Sequence, residues 1–292
     1  MAEHLARYLI RDLRESLARG AARDAAISPD GGRWLGLWAL GAGLSGLVLL
    51  ACCGYHAGFG PLNSLATRAP EWVWEWLTVL GDERVAFALT LFFSRRHPRV
   101  FWTLITAAVV ATAYTHSLKA LVGALRPPAV LDPDSFHLVG PGHRRGSFPS
   151  GHTTTAAVFF GVGVYYLRES LPRAALVAVA VAAGLSRVVV GVHWPLDVMA
   201  GMTGGVLSAW AGVALARRSM WGILRPSVHL TFVLVAAAGV ALAEEEPTFD
   251  KKAAKRAAID EMASEALTEL VSKSDHAKTL YEEAVAFAVF DN

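Results

Sequence analysis

The chain is poor in charge and almost free of cysteine. Of its 292 residues, 18% are charged and 54% hydrophobic. That balance is too apolar for an ordinary soluble domain and suggests a membrane protein. The two cysteines, Cys52 and Cys53, are adjacent inside an apolar run. They read as small buried hydrophobes, because neither a disulfide framework nor metal-ligand spacing surrounds them. A cleavable signal peptide is not expected at the start, since residues 1–33 are polar and rich in arginine. The net charge of +2 says little; the placement of charge says more.

What is present is a series of long apolar runs. Spans are expected at about Trp34–Tyr55, Val100–Leu121, Thr153–Leu167, Ala174–Val190 and Leu196–Ala216. Each full-length run suits a hydrocarbon core about 30 Å thick, given a rise of about 1.5 Å per residue. A further span, the second in order, is less regular. An aromatic belt, Glu71 to Trp76, precedes Asp82, Glu83 and Arg84, and only Val85–Phe93 comes after them as an apolar core. The expectation there is an interfacial helix, a break near Gly81, then the span. Residues 1–33 carry Leu5, Leu9, Leu13 and Leu17 at helical spacing. They read either as an amphipathic helix on the membrane surface or as a solvated basic tail.

Basic residues concentrate at 1–33, 94–99, 168–173 and 217–225, on alternate sides of the spans. By the positive-inside rule those segments are cytoplasmic, and the loops at 56–70, 122–149 and 191–195 face outward. Lys119, Arg126, Arg144, Arg145 and Arg187 are then cations on the wrong side and call for another explanation.

Three stretches share the outward side. Lys119 and Arg126 are seven residues apart, two helical turns, and Pro127 helps end that helix. Gly146–Thr153 reads Gly-Ser-Phe-Pro-Ser-Gly-His-Thr, with Ser150 as an N-cap and His152 in the first turn. Free N–H groups and the macrodipole make such a helix start attractive to anions. Ser186 to Asp197 contains Arg187, His193 and Asp197, with Pro195 suited to a first helical turn. Singly, each has a plain structural reading: snorkelling anchors, a capped helix, a structural His–Asp hydrogen bond. Together they meet the needs of phosphoryl transfer. Two arginines and a lysine supply donors for phosphoryl oxygens. His193 serves as nucleophile, oriented by Asp197, and His152 as general acid. No acidic cluster for magnesium accompanies them in the sequence, so a route without metal or other cofactor is expected.

These stretches, Lys-x6-Arg-Pro, Pro-Ser-Gly-His and Ser-Arg-x5-His-x3-Asp, resemble the three signatures of the type-2 phosphatidic acid phosphatase (PAP2) superfamily, which includes vanadium haloperoxidases. Every signature position is matched, and the resemblance covers roughly residues 34–216. It implies an all-α, polytopic membrane bundle of six core transmembrane helices with the site at its outer face. It also implies a phosphohistidine at His193, supported by Asp197, with His152 protonating the leaving group. Lys119, Arg126, Ser150, Gly151 and Arg187 are implied to bind the phosphoryl group. The bacterial lipid phosphatases of the superfamily act on undecaprenyl pyrophosphate, phosphatidylglycerol phosphate and phosphatidic acid.

The expected organisation is a cytoplasmic segment at 1–33, the phosphatase domain at 34–225, an apolar signal-like segment or seventh span at 226–247, and a polar helical tail at 248–292. Ala258–Asn292 resembles the start of a SYLF-type lipid-binding domain, though no lipid binding is assigned to it. The expected activity is hydrolysis of a lipid phosphomonoester or pyrophosphate, with undecaprenyl pyrophosphate the leading substrate. Transfer of the phosphoryl group to another lipid is the enzymatic alternative, and a membrane scaffold with a dead site the non-enzymatic one. The expected partners are the bilayer and a lipid phosphate, without nucleic acid. The expected place is a bacterial inner membrane, N-terminus in the cytoplasm and site facing the periplasm.

Overall fold

The structure, a computed structural model, describes residues 2–140 and 142–223 together with residue 232. The chain divides into two compact units, Met1–Leu230 and Thr231–Asn292. The segment at 226–247, apart from Phe232, and the tail at 248–292 lie outside the described residues. So do the seventh-span, signal-like and SYLF-like readings attached to them.

The described residues form helices α1 (Ala2–Ala26), α2 (Gly32–Cys53), α3 (Phe59–Asn63), α4 (Glu71–Val79), α5 (Glu83–Leu91), α6 (Phe93–Arg96), α7 (Pro98–Val122), α8 (Pro127–Val130), α9 (Gly151–Tyr166), α10 (Ser170–Val189) and α11 (Pro195–Ile223). No strand occurs among them; one isolated antiparallel bridge joins Leu125 to Arg145. The fold is an all-α membrane bundle. Helices α2, α7 and α10 and the part of α11 from Pro195 to Arg217 are long and apolar enough to cross a membrane. Helix α9 has 16 residues, about 24 Å at about 1.5 Å per residue. The expected interfacial helix, break near Gly81 and short apolar run correspond to α4 and α5, each of nine residues. The break has a local cause. Asp82 is an N-cap, and its Oδ1 accepts hydrogen bonds from the N–H groups of Arg84 at 2.8 Å and Val85 at 3.1 Å. Among the described residues four helices meet the length and hydropathy of a span.

Helix α11 is the spine of the bundle and packs against α7, α9 and α2. Glycines allow the close approach. A Cβ on Gly205 would lie 2.5 Å from the Thr154 carbonyl oxygen, and one on Gly212 would lie 2.6 Å from the Ala107 Cβ. Small residues serve this purpose in membrane bundles, where packing rather than water exclusion draws helices together. Buried Val206, Ala209, Ala157 and Val162 fill the spaces between.

Helix α1 is neither a solvated tail nor a helix lying free on a surface. Leu13 and Leu17 are buried, and α1 packs against α6 and α7. Buried Asp24 caps α7 from outside: its Oδ2 accepts from the Arg99 N–H at 2.7 Å, and its Oδ1 is 2.9 Å from His97 Nδ1. A carboxylate there satisfies an unpaired N–H of the first turn and complements the helix dipole. A second tie is a cation at a helix C-terminus. Buried Arg173 donates through Nε to the Leu167 carbonyl at 3.0 Å, beyond the end of α9, and its Nη2 bonds Asp30 ahead of α2.

Up-and-down connectivity gathers the candidate side chains at one end of the bundle. Lys119 is in the last turn of α7 and Arg187 in the last turn of α10. His152 and Asp197 are in the first turns of α9 and α11.

Candidate active site

Asp197 is fully buried and anchors the site. It sits in the first turn of α11, which Pro195 opens; a proline there forgoes no helical hydrogen bond. Asp197 Oδ2 accepts from the Trp194 N–H at 2.9 Å and from the Ser147 hydroxyl at 2.5 Å, and lies 3.2 Å from His193 Nδ1. Its Oδ1 accepts from the Tyr55 hydroxyl at 2.5 Å. With Nδ1 turned to the carboxylate, His193 has Nε2 as its other ring nitrogen. Burial pushes the His193 pKa down to about 4, against the pull of the Asp197 hydrogen bond, and the charges of Arg126 and Arg187 act the same way as burial. His193 is therefore a neutral base near neutral pH.

The turn between α10 and α11 makes this possible. Gly191 has φ of +80°, and a Cβ there would meet the His137 carbonyl oxygen at 2.3 Å, so only glycine fits. The N–H groups of Val192 and His193 both donate to the Arg187 carbonyl at 3.2 Å. The turn is pinned from outside by Asn63, whose Nδ2 donates to the carbonyls of Val189 at 2.9 Å and His137 at 2.8 Å. Arg126 is held in place by Nε donating to the Arg145 carbonyl at 3.1 Å. Trp194 Nε1 donates to the Leu125 carbonyl at 2.8 Å and locks the two loops together. The start of α9 is fastened to α11 through the Ser150 N–H, which donates to the Asp197 carbonyl at 3.1 Å.

A cavity of about 610 Å³ opens onto this end of the bundle. Lys119, Arg126, Gly151, His152, Arg187 and His193 all line it. With Arg84, His116 and His143, which also line it, four cationic side chains and four imidazoles thus border one space. Arg187 Nε is buried and has no hydrogen-bond partner among the described residues. A buried, unpaired guanidinium donor is costly unless an anion meets it. Of the five cations that the basic-loop pattern leaves over, Lys119, Arg126 and Arg187 line this cavity; Arg144 and Arg145 are exposed and lend backbone carbonyls to Arg126. Two of the sequence-predicted residues stand behind the wall. Asp197 reaches the cavity through His193, and buried Ser150 accepts from the Thr153 hydroxyl at 2.9 Å.

The cavity also has an apolar portion, lined by Phe87, Leu104, Ile105, Ala108, Val158 and Phe159. Leu104 lies about four helical turns before Lys119 on α7. The space therefore runs from a cationic head down among the spans, a shape suited to an amphiphile.

Sequence reasoning missed several contributors. Tyr55 and Ser147 bind Asp197 but carry no signature, since the pairs are separated by 142 and 50 residues. Asp82 and Glu83 line the cavity as well, and the break they occupy touches the site. A Cβ on Gly81 would lie 2.6 Å from the His152 carbonyl oxygen. Gly81→Ala must therefore push α9 or the α4–α5 turn aside. The expected result is a fall in kcat of roughly tenfold, because displacing His152, the acid expected from the sequence, by a fraction of an ångström is enough; an unchanged kcat would show that the turn yields instead.

Residues 100–221 match the sequence model of the PAP2 superfamily. A lipid A 1-phosphatase from Rhizobium etli is 36% identical over 132 residues, covering 42% of this chain and 53% of that protein. An undecaprenyl-diphosphatase from Sulfolobus acidocaldarius is 33% identical over 154 residues, 52% of this chain and 66% of that protein. Among solved structures, the crystal structure of Aquifex aeolicus LpxE is similar at 27% identity and a TM-score of 0.48, covering 53% of this chain and 93% of that one. The chain spans about half the length of the lipid A 1-phosphatases it matches. The segment at 100–221, which matches the PAP2 superfamily, holds all three signatures.

Proposed function

We propose that the protein is an integral-membrane phosphatase that hydrolyses a lipid phosphomonoester or pyrophosphate through a phosphohistidine. The observation that carries this reading is the pairing of His193 on Asp197, at 3.2 Å, with Lys119, Arg126 and Arg187 around the same cavity. His193 Nε2 attacks phosphorus, and the bond to the lipid-side oxygen breaks as His152 gives that oxygen a proton. Water then attacks the phosphohistidine, passes a proton to His152 and releases inorganic phosphate. The cations, with the N–H groups at the start of α9, stabilise charge on the phosphoryl oxygens in both steps. Asp197 keeps His193 in the reactive tautomer and stabilises the imidazolium side of the reaction. Ser150 is proposed to shape the phosphate wall through Gly151 and His152. The enzyme works without a metal or other cofactor.

Undecaprenyl pyrophosphate is the leading substrate, in keeping with the diphosphatase relative. A second reading, lipid A 1-phosphate, is favoured by the higher identity to the lipid A 1-phosphatase; phosphatidylglycerol phosphate and phosphatidic acid come after these. The proposed setting is a bacterial inner membrane, with the site facing the periplasm and α1 in the cytoplasm, from the distribution of basic loops. The test is a phosphate-release panel on purified protein in detergent with chelator present, these four lipids competing. Release from one or more of them is expected, with inhibition by vanadate. Absence of release from all would remove the reading.

A further inference from the structure

The carboxylate of Asp197 has two unequal sides. Oδ2 meets three groups, all from the signature stretches or beside them: His193 Nδ1, the Trp194 N–H and the Ser147 hydroxyl. Oδ1 has one hydrogen-bond donor among the described residues, the Tyr55 hydroxyl. Tyr55 stands two residues beyond α2 and outside the segment at 100–221 that matches the family. Its ring is fixed by neighbours, with Phe148 at 6.4 Å and Trp194 at 6.5 Å between centroids. Burial first, then the Asp197 charge, push its phenol far above its ordinary pKa, so the group stays protonated and donates.

A carboxylate held on only one oxygen can turn about its Cβ–Cγ bond. Held on both, it presents Oδ2 to His193 in one orientation and shares its charge among strong donors. We infer that Tyr55 is a positioning residue for the nucleophile: its hydroxyl holds Asp197 by Oδ1, so that Oδ2 fixes His193 by Nδ1 and leaves Nε2 facing the phosphorus. This rests on the proposed phosphatase reading. It assigns to the first span, which carries none of the family signatures, a part in aiming the reaction.

Losing this hydrogen bond also has a pH effect of definite sign. Without the Tyr55 donor, more negative charge stays on Asp197. That charge stabilises protonated His193, so the His193 pKa rises from its depressed value toward neutrality. The nucleophile is then lost to protonation at a higher pH, and the acid limb of the activity profile moves up.

The experiment compares wild type with Tyr55→Phe in detergent, on whichever lipid phosphate of the panel is turned over. The expected result is a kcat lowered by roughly tenfold, the size of one lost hydrogen bond to a charged group, with KM within about twofold. The acid limb should move upward, and the thermal midpoint should stay close to wild type. In an Asp197→Asn background, Tyr55→Phe should have no further effect, because the two act as a unit. An unchanged kcat and acid limb, or additive effects in the double variant, would overturn the inference. So would a Tyr55→Phe protein that loses its fold, which would make the residue a strut. Wild type inactive on all four lipids takes down the phosphatase reading and this inference with it; active wild type with an indifferent variant takes down this inference alone.

Discussion

Replacing His193 with alanine is expected to abolish phosphate release, by roughly 10⁴-fold or more, on every lipid that the wild type turns over. The magnitude reflects the loss of a covalent nucleophile, for which the remaining groups have no substitute. The imidazole is buried at 1% exposure, with Nδ1 committed to Asp197. His116, His143 and His152 also line the cavity, but among the described residues the imidazole bonded to Asp197 is that of His193, and His152 has the acid's part in the proposed mechanism. The variant is also expected to fold, because the Trp194 N–H, Ser147 and Tyr55 still satisfy Asp197. Two measurements check the result. Steady-state phosphate release should fall to background with an unchanged detergent elution profile. Rapid quench with labelled substrate should trap an acid-labile, alkali-stable phosphoprotein in the wild type and none in His193→Ala. Normal turnover by the variant would end the phosphohistidine mechanism.

Arg187→Ala should lower kcat/KM by about 10²–10³-fold, the range for removing one preorganised donor to a developing oxyanion. The reason lies in the unpaired Nε of Arg187. A group left without a protein partner in a buried cavity is preorganised for its ligand and loses no existing bond when the ligand arrives. Lysine at this position keeps the charge but not the planar fork, so Arg187→Lys should recover only part of the loss. Arg126 differs in this respect. Its Nε is already spent on the Arg145 carbonyl, so part of any loss in Arg126→Ala would be loop order. Activity of Arg187→Ala within about threefold of wild type would show that the phosphoryl group is held elsewhere.

Much of this site is legible in the sequence because its determinants are local. Pro195 at a helix start, Ser150 at a cap and the four-residue step from His193 to Asp197 are set by helix geometry within a few residues. The break at Gly81 is legible for the same reason, because Asp82 caps the next helix, α5. Hydropathy does not tell whether a short apolar run such as α5 reaches across, because it sees composition alone. Contacts over long separations are also closed to sequence reasoning. The surface-helix and basic-tail readings of residues 1–33 both missed that Asp24 caps α7 across 75 residues. Tyr55 resembles any aromatic residue at the end of a span, and only the fold brings it to Asp197.

The four hydrogen bonds on Asp197 have a consequence for biosynthesis. Their donors come from the end of the first span, the loop before α9, and the turn before α11. Chains are made from the N-terminus, and domains tend to settle in that order. Tyr55 and Ser147 are thus synthesised before the carboxylate they serve. Until α11 is in place His193 is not held on Asp197, and under the proposed mechanism the nascent protein is inert toward lipid phosphates. On that mechanism, competence arrives only when α11 docks on the turn and the loops made before it.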